Sequence, residues 1–122
     1  MDEAMKLVLP LPMNLANSRL HWRVKNKRKR EYFELLDALL MTRNLPDPPA
    51  KPWKKARIKV HAYLWSPQDE DNLMARLKWP VDWLRNAGYV VDDRKKNLIY
   101  AGIPEQSIDR KHTRLEITLV KA

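Results

Sequence analysis

The sequence predicts a small α+β protein, or mixed α/β fold, in which a mixed β-sheet packs with two helices. Three patterns in the 122-residue chain support this prediction. Short segments alternate apolar and polar residues, two longer stretches carry apolar residues at helical spacing, and the elements follow the order β-α-β-α-β-β. The chain is long enough to bury its own core and shows no internal repeat, so we expect one domain over residues 1–122.

The first strand and the first helix are predicted near the N-terminus. Residues 6–9 are apolar and are followed by Pro10, which cannot donate to a strand ladder. After a predicted loop at residues 14–22, residues 26–43 place apolar side chains such as Phe33 and Leu36 at helical spacing.

The first turns of this helix are strongly basic. Positive charge at a helix N-terminus opposes the macrodipole, so these side chains suit an external anion better than they support the helix. The basic block comprises Lys25, Lys27, Arg28, Lys29 and Arg30.

The second half of the chain begins with a proline-rich connector at residues 46–52. Residues 58–65 alternate apolar and polar side chains, which predicts a half-buried strand. A second helix is predicted over residues 72–87, and two further strands are predicted at residues 98–101 and 115–119.

Individual residues predict where the second helix begins, ends and is interrupted. Asp71 is a plausible N-cap, and Gly88 lies where a left-handed residue ends a helix. Pro80 lies inside the pattern, which predicts a kink or a restart near Trp79.

Charge and composition indicate the class of binding partner and the cellular compartment. The chain has 24 Lys and Arg against 15 Asp and Glu, a net charge of +9, which favours nucleic acid as a partner and an anionic membrane surface second. The absence of cysteine excludes disulfides and thiolate metal sites. No apolar run approaches the roughly 20 residues of a membrane span, and no secretory signal is recognisable, so we expect a soluble cytoplasmic protein.

An acidic cluster stands out in this basic chain. The residues at positions 69–72 read Asp-Glu-Asp-Asn, and Lys78 and the pair Asp92 and Asp93 follow. Crowded carboxylates in a cationic protein suggest that a divalent cation neutralises them, so this cluster is the candidate active site.

Spacing suggests which of these groups act together. Asp69 and Asp71 follow a predicted strand, and they would project from one face and share a metal if the extended conformation persists. In the alternative, Asp71 only caps the helix and Asp69 is a turn residue. On a helical wheel Lys78 lies about 20° from Asp71 and Arg76 about 140° away. Lys78 is therefore the better basic candidate, and an i,i+4 salt bridge from it to Asp82 is compatible with that role.

These motifs together resemble a known family. The run Asp69-x-Asp71-Asn72, a helix carrying Lys78, the stretch at residues 86–93 and the strand at residues 114–118 resemble the RusA family of Holliday-junction resolvases. The resemblance covers nearly the whole chain in order. It also includes the opening Leu9-Pro10-Leu11-Pro12 followed by Asn14 or Asn17.

The resemblance implies a RusA-like fold and a magnesium-dependent endodeoxyribonuclease, with manganese as a substitute. Family members are typically carried by phages, form homodimers and cut four-way DNA junctions symmetrically. It therefore implies a homodimer that binds four-way or other branched DNA in the cytoplasm of a bacterial or phage-infected cell.

The resemblance also implies roles for individual residues. Asp69, Asp71 and Asp93 match the metal-binding aspartates, Lys78 matches the catalytic lysine, and Asn72 has an orienting or capping role. The family's lysine follows its motif more closely than Lys78 does. Ala75 or Arg76 stands near that spot in this chain, and Ser66-Pro67-Gln68 replaces a basic tract of the family.

The chemistry expected of such a site is phosphodiester hydrolysis. Magnesium held by the aspartates would lower the pKa of a bound water, with one or two ions both open, and Lys78 would act as general acid or electrostatic clamp. The basic block would contact phosphates of the duplex arms. Trp22, Trp65 and Trp79 are candidates to open base steps, although tryptophans in small domains are usually core or interface residues.

Two alternatives remain open at the level of the sequence. One is a flap or branched-DNA nuclease without resolvase symmetry. The other is a non-catalytic DNA-binding protein whose acidic residues are only turns and caps. A membrane-surface role is disfavoured, because the chain lacks a long basic amphipathic helix with a bulky apolar face.

Overall fold

The computed structural model describes residues 3–13 and 21–122, and the fold is mixed α+β as predicted. The predicted loop with Asn14 and Asn17 lies outside the described residues. Within the described ranges, no helix is long and apolar enough to cross a membrane. In chain order the elements are β1 (Ala4–Leu9), α1 (Trp22–Met41), β2 (Ala56–Leu64), α2 (Glu70–Arg76), α3 (Lys78–Asn86), β3 (Leu98–Tyr100), β4 (Glu105–Ile108) and β5 (Arg114–Lys121).

The sheet is mixed, and β2 is its central strand. The strand order is β1-β5-β2-β3, and β4 pairs with β2 further along the same edge. Strand β5 is antiparallel to both β1 and β2, whereas β3 and β4 are parallel to β2. The sequence did not predict β4, because its residues Glu-Gln-Ser-Ile carry little apolar alternation.

Strand β2 shows the predicted period of two. Its even-numbered side chains from Ala56 to Leu64 are buried, and the odd-numbered ones are exposed or half-buried. One face of the sheet therefore joins a core that also contains Leu36 of α1 and Trp83 of α3, while the other face is open.

Helix α1 begins earlier than predicted. It starts at Trp22 and not near residue 26, because the His21 side chain accepts a hydrogen bond from the backbone N–H of Arg23 at 3.2 Å. The first turns of the helix are basic and exposed, so the apolar pattern did not reveal that the helix starts at Trp22. The indole N–H of Trp83 donates to Asp37 at 2.9 Å and ties α3 to α1.

The predicted break in the second helix is confirmed. Helices α2 and α3 are separated at Leu77, whose backbone N–H bonds to the carbonyl of Met74 in a tighter turn. Pro80 has no N–H to donate to Arg76, which explains the position of the break. After α3, Gly88 has a φ of 90°, a left-handed conformation that favours glycine.

Candidate active site

The first two predicted metal ligands, Asp69 and Asp71, lie at the junction between the loop after β2 and helix α2. Strand β2 ends at Leu64, so the extended conformation expected to hold Asp69 and Asp71 on one face does not reach them. Asp69 has an extended backbone, whereas Asp71 lies in the first turn of α2. The prediction that strand geometry aligns these two side chains is therefore wrong.

Asp69, and not Asp71, is the N-cap of the second helical stretch. Its Oδ1 accepts a hydrogen bond from the backbone N–H of Asn72 at 2.8 Å. The Asn72 side-chain amide donates to Oδ2 of Asp69 at 3.3 Å, so Asn72 orients the capping carboxylate. Asp71 and Glu70 lie in the first turn, where negative charge is favourable to the helix dipole.

The two candidate basic residues have different surroundings. Lys78 is the exposed first residue of α3, after the break that interrupts the helical wheel drawn from Asp71. Arg76 is half-buried, and its Nε atom has no hydrogen-bond partner among the described residues. Burial lowers the pKa of the Arg76 guanidinium. Of the two, Lys78 is the more accessible to a solvent-borne substrate.

A second carboxylate group assembles around the predicted ligand Asp93. The backbone N–H of Asp93 donates to Oδ1 of Asp92 at 2.7 Å, and Arg85 of α3, which lies one turn after Asp82, contacts Asp93 at 3.5 Å. Asp82 comes from the middle of α3, so helix and loop meet here. We call Asp82, Asp92 and Asp93 the Asp93 group.

Three cations surround the Asp93 group. Lys29 of α1 contacts Asp82 at 3.1 Å, Arg85 of α3 contacts Asp93 at 3.5 Å, and Arg94 contacts Asp92 at 3.1 Å. The predicted i,i+4 salt bridge of Asp82 with Lys78 is replaced by the contact with Lys29. Each carboxylate is therefore balanced by a cation from a different part of the chain.

The pKa values of Asp92 and Asp93 shift in opposite directions. Desolvation by burial, together with hydrogen bonds from Asp92 and Asp82, raises the pKa of Asp93. The hydrogen bonds with Asp93 lower the pKa of Asp92. Burial first, and the Asp93 charge second, also raise the pKa of Tyr100. Close carboxylates of this kind are stabilised by a proton or a cation between them.

The fit of this region to magnesium is partial. Carboxylate oxygens are the donors that magnesium takes in proteins. Within residues 3–13 and 21–122, however, no three His, Asp or Glu side chains are grouped closely enough to hold a metal ion. Asp69, Asp71 and Asp93 therefore do not form a preformed metal-binding triad. Their carboxylate oxygens suit magnesium, whereas their positions do not yet group them around one ion.

The site residues predicted from the sequence did not include Arg85, nor Asp82, which the resemblance only aligned with a family aspartate. Arg85 follows Asp82 by three positions and Lys78 precedes it by four, so the helical spacing showed a charged face on α3. No local pattern connects Asp82 to Lys29, which lies 53 positions earlier.

The sequence was compared with protein-family models and with curated proteins. No protein-family model matches the chain, and no curated protein matches it. The RusA resemblance therefore stays a prediction drawn from the motifs.

Proposed function

We propose that this protein is a metal-dependent endodeoxyribonuclease that cuts branched DNA, most specifically by symmetric resolution of four-way junctions as in the RusA family. The observation that carries the proposal is the 3.1 Å contact between Lys29 of the basic block and Asp82 of the Asp93 group. A nuclease needs cations for the phosphate backbone near oxygen donors for its metal, and this contact brings the basic helix next to the group that contains the predicted ligand Asp93.

The proposed site uses the predicted residues. Asp69, Asp71 and Asp93 would hold the ion, which supplies a water of lowered pKa for attack on the phosphodiester. Asn72 orients the Asp69 carboxylate through its side-chain amide. Lys78, exposed at the start of α3, would place positive charge beside the scissile phosphate.

The basic block of α1 is proposed to contact duplex-arm phosphates. Lys27, Arg28 and Arg30 are exposed, whereas Lys29 is half-buried and contacts Asp82. The exposed side chains can reach a backbone phosphate, while Lys29 is paired with Asp82. This division of roles within one block supports binding next to the site of cleavage.

Paired cleavage requires two sites, and one chain of this size supplies one. We therefore propose a homodimer, which acts on DNA in the cytoplasm of a bacterial or phage-infected cell. Light scattering of the purified protein tests the dimer directly, and a monomer at the concentrations that cut junctions contradicts it.

A non-catalytic DNA-binding protein is the second candidate. The N-cap role of Asp69 favours it, because capping alone explains a carboxylate at this position. A flap nuclease without resolvase symmetry is the remaining alternative within the same chemistry.

A cleavage assay on a synthetic four-way junction with labelled strands distinguishes the three candidate functions, which are resolvase, flap nuclease and non-catalytic DNA-binding protein. With magnesium or manganese, the wild-type protein is expected to produce symmetric paired nicks, and cutting of flaps alone would remove the resolvase assignment. Binding without nicking under either metal would remove the enzymatic proposal.

The Asp71→Asn variant is expected to bind the junction as tightly as the wild type, or more tightly through lost repulsion, without cutting it. Glu70→Gln is the matched control, because it removes one charge from the same helical turn. We expect Glu70→Gln to retain cleavage.

A further inference from the structure

Trp65 differs from the tryptophans of the core. Its side chain is 62% exposed at the end of β2, whereas Trp53, Trp79 and Trp83 are buried. An exposed indole leaves a large apolar surface in water, which a protein retains where the ring contacts something else.

The Trp65 ring is held on one side by a cation. The guanidinium of Arg110 lies 5.3 Å from the ring centroid, and its Nε donates to the backbone carbonyl of Trp65 at 3.1 Å. Arg110 therefore fixes both the main chain and the ring of Trp65. The exposure of the ring shows that much of its remaining surface is accessible.

The loop that follows Trp65 is clamped to the sheet. The backbone N–H of Gln68 donates to Oε1 of Gln106 at 2.9 Å, and the Gln106 amide donates back to the carbonyl of Gln68 at 2.7 Å. This reciprocal pair anchors the loop to β4, one residue before Asp69. A platform held at both ends binds a ligand with little ordering cost.

We propose that Trp65, backed by Arg110, is a stacking site for an unpaired nucleobase of the DNA substrate. The inference rests on the proposed function for the identity of the polymer and extends it to the recognition of single-stranded character next to the cut. Aromatic rings stack on any base, and an arginine on the opposite face strengthens the contact and adds charge for a nearby phosphate. Trp65 lies four residues before the predicted metal ligand Asp69 in the chain, on the clamped loop that leads to it.

The test measures binding and needs no cleavage. A short fluorescein-labelled single-stranded oligodeoxynucleotide is titrated with protein in EDTA and followed by fluorescence anisotropy. We expect Trp65→Ala to lose roughly 5- to 100-fold in affinity, the range for one stacked base, and Trp65→Phe to retain most of the affinity.

Trp22→Ala is the matched control. Trp22 is 61% exposed and has Arg23 at 5.3 Å from its ring, so it offers the same chemistry on α1 without the clamped loop. We expect Trp22→Ala to lose less than about threefold in affinity, below the range for one stacked base. An equal loss for Trp22→Ala and Trp65→Ala, or no loss for Trp65→Ala, overturns the proposal.

An abasic oligonucleotide with the same phosphates separates stacking from charge. The wild type should bind it more weakly than the normal strand, and Trp65→Ala should bind both strands alike. If the wild type nicks junctions but binds the two strands equally, the stacking site fails and the nuclease stands. If it nicks nothing but prefers the normal strand through Trp65, the nuclease fails and the stacking site stands.

Discussion

The two acidic clusters of the candidate site, one at the start of α2 and the other the Asp93 group, are stabilised in different ways. At the start of α2, Asp69 is satisfied by the backbone and side chain of Asn72, three residues away. In the Asp93 group, the carboxylates are balanced by Lys29, Arg85 and Arg94 and by one another. The comparison shows that local capping explains Asp69, whereas the Asp93 group, drawn from α3 and the loop after it, is balanced by cations.

This difference predicts where a cation has most to contribute. The capping carboxylate of Asp69 already accepts hydrogen bonds from Asn72. Burial and the neighbouring carboxyl groups raise the pKa of Asp93, so a cation bound there would relieve repulsion between the ionised carboxylates. We therefore expect Asp93 to contribute more to metal affinity than Asp69 or Asp71 does.

The largest expected effect is on cleavage by Asp93→Asn and Asp69→Asn. Each removes a negative oxygen ligand, and we expect each to lower the single-turnover cleavage rate of a four-way junction at least about 100-fold. Asparagine caps a helix as well as aspartate, so Asp69→Asn keeps the cap and isolates the metal role.

Asp69→Ala is the structural counterpart of that experiment. It removes the cap, and we expect a loss of about 1 kcal/mol in the free energy of unfolding, measured with urea. Should Asp69→Asn cut junctions at the wild-type rate, Asp69 is only a cap, and the Asp93 group alone remains a candidate for metal binding.

The next largest expected effects distinguish Lys27 from Lys29, two lysines of the basic block, by DNA binding and by stability. We expect Lys27→Ala to weaken DNA binding several-fold at low salt and to reduce the slope of log affinity against log salt by about 0.9, because one phosphate contact is lost. Fluorescence anisotropy over a salt series measures both quantities.

Lys29→Ala removes the same charge from the same helix but leaves Asp82, whose side chain is 15% exposed, without its lysine. We expect its main effect to be on stability, a loss on the order of 1 kcal/mol in the free energy of unfolding. Equal effects of the two variants on the salt slope would show that Lys29 leaves Asp82 to bind phosphate.

The smallest expected effect is a gain in stability from Asp93→Asn without metal. Because the folded protein holds the Asp93 proton more tightly than the unfolded chain, this group contributes stability at low pH, and the contribution is lost as the pH rises through its raised pKa. At neutral pH the ionised Asp93 is therefore unfavourable, and Asp93→Asn should raise Tm by about 1–4 °C.

That gain should disappear as the pH falls below the ordinary carboxyl pKa, where Asp93 is protonated in both states. Thermal unfolding followed by circular dichroism across this range measures the change. A Tm for Asp93→Asn below that of the wild type at neutral pH would mean that the ion pair with Arg85 outweighs the repulsion within the group.

Much of the fold follows from local pattern. The period of two in β2, the break before Pro80 and the left-handed turn at Gly88 are confirmed, because each depends on residues that are neighbours in the chain. Strand β4 and the early start of α1 were missed, because pairing with β2 and the His21 cap stabilise them without an apolar pattern.

The sequence by itself determined the α+β class, the charge excess and the identity of the acidic and basic residues proposed to act on DNA. Only the tertiary structure decided that Asp69 caps α2, that Lys29 meets Asp82 across 53 positions, and that Trp65 stays exposed beside Arg110. The physical reason is range: propensity and periodicity act over a few residues, whereas desolvation and charge pairing depend on which distant segments the core brings together.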